Sequence, residues 1–421
     1  MQEVITTDDA QYALDIVKKI CTEVGPGLPA SPQERERAEI LKKELEKHLD
    51  AENVTVEEFT LAPEACLSPI PSVLLMALAV LLNISTVHLT GVWPWVTSIA
   101  ALLFSILAPL VFIMEFILGY EVVDPLFRIK KSINLIGTLH KPGTKNVKRL
   151  IILCGHHDSA PENTWLRFLG YGFFFLSATY FIGLITMLVM NIIQLTGLII
   201  DNADIIHFGT LGWVLLIYPI VPSIIFIAFH TRGMKNGGNV PGAVDNLSAC
   251  AITVAMCRFL AKNPAFIPDG TEIRFITFGS EEVGLRGSQR YVKRHLDELK
   301  RLDVCVLNYE MVVHPEITIL TSEINGTVKN SPEMVKSVVT AAQRTGIPYR
   351  VQPAFLGIAS DAGPFSRAGL KATTLNPIKF PQQLVAFYHQ KWDTPEILTI
   401  EPLLNVLKLT LEWVTNGGEN S

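Results

Sequence analysis

This 421-residue chain contains no Lys/Arg-rich run interleaved with aromatics, and a net charge of −5 with a pI near 6.1 supplies no basic field. Nucleic acid is therefore not an expected partner. No CxxC pair occurs either: Cys21, Cys66, Cys154, Cys250, Cys257 and Cys305 are scattered, and four of them lie in apolar runs where a small thiol packs well. They read as reduced core thiols rather than disulfides. The opening MQEVITTDDAQYALDIVKK carries acids where a secretory signal has a basic patch and an apolar core, so no cleavable signal is expected. Charge of either sign is scarce, at 18% of residues against 49% hydrophobic, and the mean hydropathy is +0.34. That is too apolar for an ordinary soluble protein of this size, so part of the chain is expected in lipid.

Two blocks carry the excess. The first, 71–120, holds VLLMALAVLLNI and VTSIAALLFSILAPLVFIMEFIL around a break at 86–95, and the second, 165–231, holds FLGYGFFFLSATYFIGLITMLVM and LGWVLLIYPIVPSIIFIAF around Asp201, Asn202 and Asp204. Each run approaches the ~20 residues that a spanning helix requires. They read as two transmembrane helical hairpins, four spans in all, with the lipid bilayer as a partner. Trp93, Trp95, Trp165, Tyr120 and Tyr171 cluster near the predicted ends, as interfacial aromatics do, and Glu115 reads as an anchor at one end. The loops inside the hairpins carry no Lys or Arg, whereas the other flanks carry Arg128, Lys130, Lys131, Arg167, Arg232 and Lys235. By the positive-inside rule the N-terminus, 121–164 and everything after Thr231 face the cytoplasm.

With the hairpins removed, 1–70, 121–164 and 232–421 read as one domain. Helices are predicted over 8–24, 31–49, 248–262, 287–299, 332–345 and 402–415, the second opened by Ser31-Pro32 as N-cap and first-turn proline. Strands are predicted over 53–59, 132–138, 148–154, 272–278, 304–309 and 372–375. The alternation argues for an α/β fold, three layers with a mixed, mostly parallel sheet. Each insertion has an even number of spans, so the flanking pieces return to one side and can build a single sheet. Residues 234–239, Met-Lys-Asn-Gly-Gly-Asn, read as a flexible return.

Five short motifs fall at predicted strand ends or the loops after them, where open α/β sheets hold their ligands. In Cys154-Gly155-His156-His157-Asp158-Ser159, strand alternation points His156 and Asp158 the same way and His157 the other. His156 is thus the candidate ligand, with Asp158 accepting its second N–H. Pro241-Gly242-Ala243-Val244-Asp245-Asn246 precedes a helix; alone it is an ordinary helix start, yet Asp245 has two oxygens that could bridge two cations. Glu281 and Glu282 are adjacent in GSEEVGLRGS, and such neighbours are costly unless something positive neutralises them. Glu310 ends the apolar strand VCVLNY, and His389 lies in YHQKWDT.

Together these residues resemble the co-catalytic zinc exopeptidases of metallopeptidase family 28, which includes bacterial leucyl aminopeptidases and glutamate carboxypeptidase II. The resemblance runs through HxDS at His156, GAxDN at Asp245, EExGLxGS at Glu281, the strand-end acid Glu310, SDxxPF over 360–365 and YHxxxDT at His389, in the family's order. It implies two zinc ions, one held by His156, Asp245 and Glu310, the other by Asp245, Glu282 and His389. It leaves Glu281 as general base for a metal-activated water attacking a peptide carbonyl. Tyr388 either donates to the oxyanion or packs as an aromatic, and Asp361 shapes the pocket loop. Many members have aspartate where this chain has Glu310, and the membrane hairpins depart from the soluble form. An aminopeptidase acting on peptide substrates is the leading expectation; a carboxypeptidase shares the same core. A non-catalytic scaffold on the same fold and a single-zinc glutaminyl cyclase both fit the full ligand set less well. A transporter is disfavoured because paired charges are missing from the spans.

Overall fold

The computed structural model describes residues 4–67, 69–233, 238–355 and 358–418. Its contacts divide the chain into two units, one of Met1–Pro63, Ile129–Glu162 and Met234–Ser421, the other of Glu64–Arg128 and Asn163–Gly233. The short flanks 64–70 and 121–128, which the sequence assigned to the α/β domain, therefore group with the hairpins. Residues 234–237 of the expected flexible return lie outside the described residues.

The first unit is built on ten strands: β1 (Val54–Leu61), β2 (Lys130–His140), β3 (Arg149–His156), β4 (Thr271–Phe278), β5 (Asp303–Tyr309), β6 (Ile317–Leu320), β7 (Ser322–Glu323), β8 (Val328–Lys329), β9 (Tyr349–Gln352) and β10 (Lys371–Leu375). Eight form one sheet in the order β1-β2-β4-β3-β5-β10-β6-β9, and β7 and β8 make a separate ribbon. Parallel pairing joins β4 to β3, β3 to β5, β5 to β10 and β6 to β9, and the other neighbours in the sheet are antiparallel. This is the mixed, mostly parallel sheet that the sequence predicts. β6 and β9 escape prediction because each is four residues long, too short for alternation to show.

β3 reads RLIILCGH and is buried from Leu150 to His156, as a central strand covered on both faces must be. On one face Ile152, Cys154, Ile276 and Phe278 pack with Tyr291 and Phe365. On the other lies the helix Ser248–Lys262, which also meets the helices Thr7–Glu23 and Ile400–Thr415. Gly155 permits that approach: a Cβ there would lie 2.5 Å from the Ala249 methyl. With the turn before it, this helix is long and apolar enough to cross a membrane, but 94% of its apolar window is buried inside the unit, which makes it a core helix.

The second unit contains four more apolar stretches of spanning length: Pro69–His88, Trp93–Ile117, Gly172–Ile199 and Thr210–Ala228. The last is broken between the helices Thr210–Ile217 and Ile220–Gly233. Trp165 sits on a separate short helix, Thr164–Leu169, ahead of the long one. The first two pack through small buried residues at helical spacing, Ser98, Ala101, Ser105 and Ala108, which face Ser72, Met76, Ala79, Asn83 and Thr86. Asn83 Nδ2 donates to Asn191 Oδ1 at 2.8 Å, and Gln194 Nε2 donates to Asn83 O at 3.2 Å. Glu115, expected as an interfacial anchor, is buried; its Oε2 accepts from the backbone of Val122 at 2.7 Å and Val123 at 3.0 Å, closing the end of its helix.

Candidate metal centre

β4, β3 and β5 lie side by side, so the loops after them converge. His156 is the last residue of β3, Glu281 and Glu282 follow β4, and Glu310 follows β5. Asp245 occupies the tight turn Ala243–Leu247, and His389 follows the helix Gln382–Phe387. His156 Nε2 lies 3.4 Å from Asp245 Oδ1, 3.5 Å from Glu310 Oε1 and 3.7 Å from Glu281 Oε2. His389 Nε2 lies 3.0 Å from Glu282 Oε2 and 3.4 Å from Asp245 Oδ2. Two triads result, His156/Asp245/Glu310 and Asp245/Glu282/His389, with ligand atoms within 4.8 Å of one another and Asp245 shared, one oxygen to each. His156, Glu281 and Glu282 form a third grouping by the same measure.

His157 belongs to none of these groups; burial, with His156 beside it, pushes its imidazole down to about 4 and keeps it neutral. Asp158 Oδ1 lies 3.3 Å from His156 Nδ1, on the side expected of a tautomer-fixing acceptor. It does more than that: Oδ1 accepts from Glu281 N at 3.0 Å and Oδ2 from Glu282 N at 3.1 Å, so one carboxylate holds both glutamates. Tyr388 stacks on His389, with ring centroids 3.7 Å apart at 25°. Burial, then Glu282 and Asp245, push its phenol well above the usual range, so it stays a proton donor. Asp361 is buried at the head of the helix Ala362–Arg367, its carboxyl pushed up to about 7 by burial, with Asp158 and Glu282 adding to the shift.

Two residues that the sequence left without a role complete the cradle. Asp393 Oδ1 accepts from Val244 N at 2.7 Å and Oδ2 from Asp245 N at 3.1 Å, fixing the shared ligand. Asn246 Nδ2 donates to Tyr309 O at 3.0 Å, and its Oδ1 accepts from Met311 N at 3.2 Å, so its amide clasps the chain on both sides of Glu310. Their sequence signals were the last acid of YHxxxDT and the Asn of GAxDN.

The electrostatics are those of a site built for cations. Burial pushes Glu310 up to about 8, and burial with Glu282, Asp361 and Glu310 holds Glu281 well above the usual range. Burial opposes the charge on His389, yet Glu282 and Asp245 carry it up to about 10. Glu282 Oε1 and Glu310 Oε2 are buried without a hydrogen-bond partner. Orphaned carboxylate oxygens converging with imidazole nitrogens fit zinc or a similar divalent ion.

Residues 225–414 match the family model described as Peptidase family M28. Aminopeptidase YwaD of Bacillus subtilis is 30% identical over 196 residues, which are 46% of this chain and 37% of that protein. The chain thus spans little more than a third of the length of this curated relative. Among solved structures, BSAP, a zinc aminopeptidase from Bacillus subtilis, superposes with a TM-score of 0.54 at 16% identity over 97% of this chain and 95% of its own. An aminopeptidase from Aneurinibacillus sp. strain AM-1 gives 0.52 at 15% over 96% and 93%. An Acidobacteriales bacterium glutaminyl cyclase gives 0.55 at 13% over 100% and 96%. At these identities the likeness is one of fold.

Proposed function

We propose that this chain, whose residues 225–414 match the model of peptidase family M28, is a member of that family and a membrane-embedded aminopeptidase working with two zinc ions at the cytoplasmic face. The observation that carries the reading is the pair of triads sharing Asp245, with Glu281 beside them. His156, Asp245 and Glu310 would hold one ion, and Asp245, Glu282 and His389 the other. When bound, the ions supply a water of lowered pKa and an electrophile for the scissile carbonyl.

The chain's own groups do the rest. Glu281 Oε2, 3.7 Å from His156 Nε2, takes the proton from the attacking water and delivers it to the leaving amine. Asp158 keeps that carboxylate in place through its backbone N–H. Tyr388 donates to the oxyanion as it forms.

The test is zinc stoichiometry on detergent-purified protein together with cleavage of free-amine and N-blocked peptides, before and after chelation. Two zincs per chain and chelator-sensitive cleavage of free-amine substrates are expected. Cleavage of blocked peptides alone means a carboxypeptidase, and neither zinc nor cleavage means a scaffold. Glu281→Gln should abolish turnover and keep both ions; loss of an ion would make Glu281 a ligand instead.

A further inference from the structure

The helix Pro32–Leu45 turns Glu34, Arg37, Ala38, Leu41 and Leu45 inward. The last three are what a core face needs, but Glu34 and Arg37 are ionisable side chains only 1% and 0% exposed. A buried charge is costly unless its polar atoms are matched, and the groups that match these two come from the loops of the metal centre. Arg37 Nη1 donates to His157 O at 3.2 Å, and Nη2 donates to Pro241 O at 2.6 Å and to Gly25 O at 2.5 Å. One guanidinium therefore ties the segment of His156 and Asp158 to the turn that delivers Asp245. Gly27 is fitted to it: a Cβ there would lie 2.7 Å from Arg37 Cδ and Nε.

Glu34 works on the other side. Its Oε2 accepts from Ala30 N at 2.9 Å and Ser132 Oγ at 2.8 Å, and its Oε1 accepts from Ser280 Oγ at 2.7 Å. Ser280 has a left-handed φ of +55° immediately before Glu281, a conformation that a non-glycine residue holds only when its surroundings impose it. Gly279 N is tied to Asn134 Oδ1 at 3.2 Å and Ser280 O accepts from Arg286 N at 3.2 Å, and Ser280 Oγ is the side-chain handle on the turn.

We infer that Glu34 and Arg37 are positioning residues that divide the work: Arg37 sets the separation of the two ligand segments and so zinc retention, and Glu34 sets the Ser280 turn and so the aim of Glu281. The inference rests on the two-zinc reading above. Both residues lie far outside 225–414.

The test measures zinc affinity of the full chain in detergent by competition with a chromophoric chelator, and kcat and KM separately. Arg37→Lys, which keeps the charge and loses the fork, should weaken zinc binding about 10–100-fold. Gly27→Ala, which leaves every charge in place and displaces only the Arg37 side chain, should weaken it in the same direction. Glu34→Gln and Ser280→Ala should each lower kcat about 10-fold with KM and zinc affinity unchanged, and the double variant should fall no further than the worse single one. A parent chain that binds no zinc refutes the two-zinc reading. A zinc-binding parent with unaltered Arg37→Lys and Gly27→Ala variants, or additive losses at 34 and 280, overturns this inference.

Discussion

At the residue scale, four of the five ligands, His156, Asp245, Glu282 and Glu310, are braced by Asp158, Asp393 or Asn246, and the strength of that holding can be measured. Asp393→Asn places an NH2 against one of the two backbone N–H groups that now point at a carboxylate, Val244 or Asp245. Zinc affinity should fall about 10–100-fold in a chelator competition while the fold persists. Two buried carboxyls away from the ligands predict a pH effect. Burial, then Asp158, carry Glu34 up to about 8, and burial, with Asp361, carries Glu323 up to about 7 despite the bonds from Asn330, Thr374 and Ser360. Each starts from 4.5 when unfolded, so the folded chain holds more protons between those values and its stability is lost as pH rises through them. Melting temperature in chelator should therefore drop from pH 5 to pH 8, less steeply for Glu323→Gln; a flat profile would show that both groups ionise normally.

The same residues mark how far the sequence could be read. His156, Asp245, Glu282 and Glu310 were visible because they fall at strand ends or a helix start, His389 because it lies in YHQKWDT, and the structure brings all five together. Glu34 and Arg37 were not, since the groups they bind lie up to 246 positions away and a charge in a helix pattern reads as solvated. Only their i,i+3 placement in phase with Ala38, Leu41 and Leu45 betrayed a buried face.

At the scale of elements, apolar content alone does not separate a core helix from a spanning one. Ala243–Lys262 and Pro69–His88 both pass on length and composition, but the first is nearly all buried and the second keeps Leu74, Leu78 and Leu81 exposed. Within the hairpin unit, side-chain amides supply the specificity that lipid-like packing lacks. Removing Asn191 Oδ1 deprives Asn83 Nδ2 of a partner 2.8 Å away, though Ala79 O remains. Asn191→Ala should cost about 1 kcal/mol in mixed-micelle unfolding. No change would mean that the amides are spectators.

At the scale of the whole molecule, the proposed orientation follows from Arg128, Lys130, Lys131 and Arg167 flanking hairpins whose turns carry no Lys or Arg. Protease added to sealed cells should leave 238–418 intact and digest it only after permeabilisation; digestion from outside would reverse the topology. The α/β class and the sheet's mixed character were legible from alternation, whereas the strand order was not, because pairing of β2 with β4 skips a hairpin and more than a hundred residues.

That skip has a consequence for biosynthesis. Both sheet neighbours of β3, β4 and β5, are encoded after the second hairpin, so the ribosome releases Leu150-Ile151-Ile152-Leu153-Cys154 with no strand to pair with. About 115 residues separate His156 from Thr271, on the order of ten seconds of translation. On the membrane reading, the first hairpin has been translated before that interval and the second is translated within it, and His389 is translated later still. Under the proposed function the protein is delivered before it is armed: it has no working centre with which to digest anything until its proposed anchor is already in place.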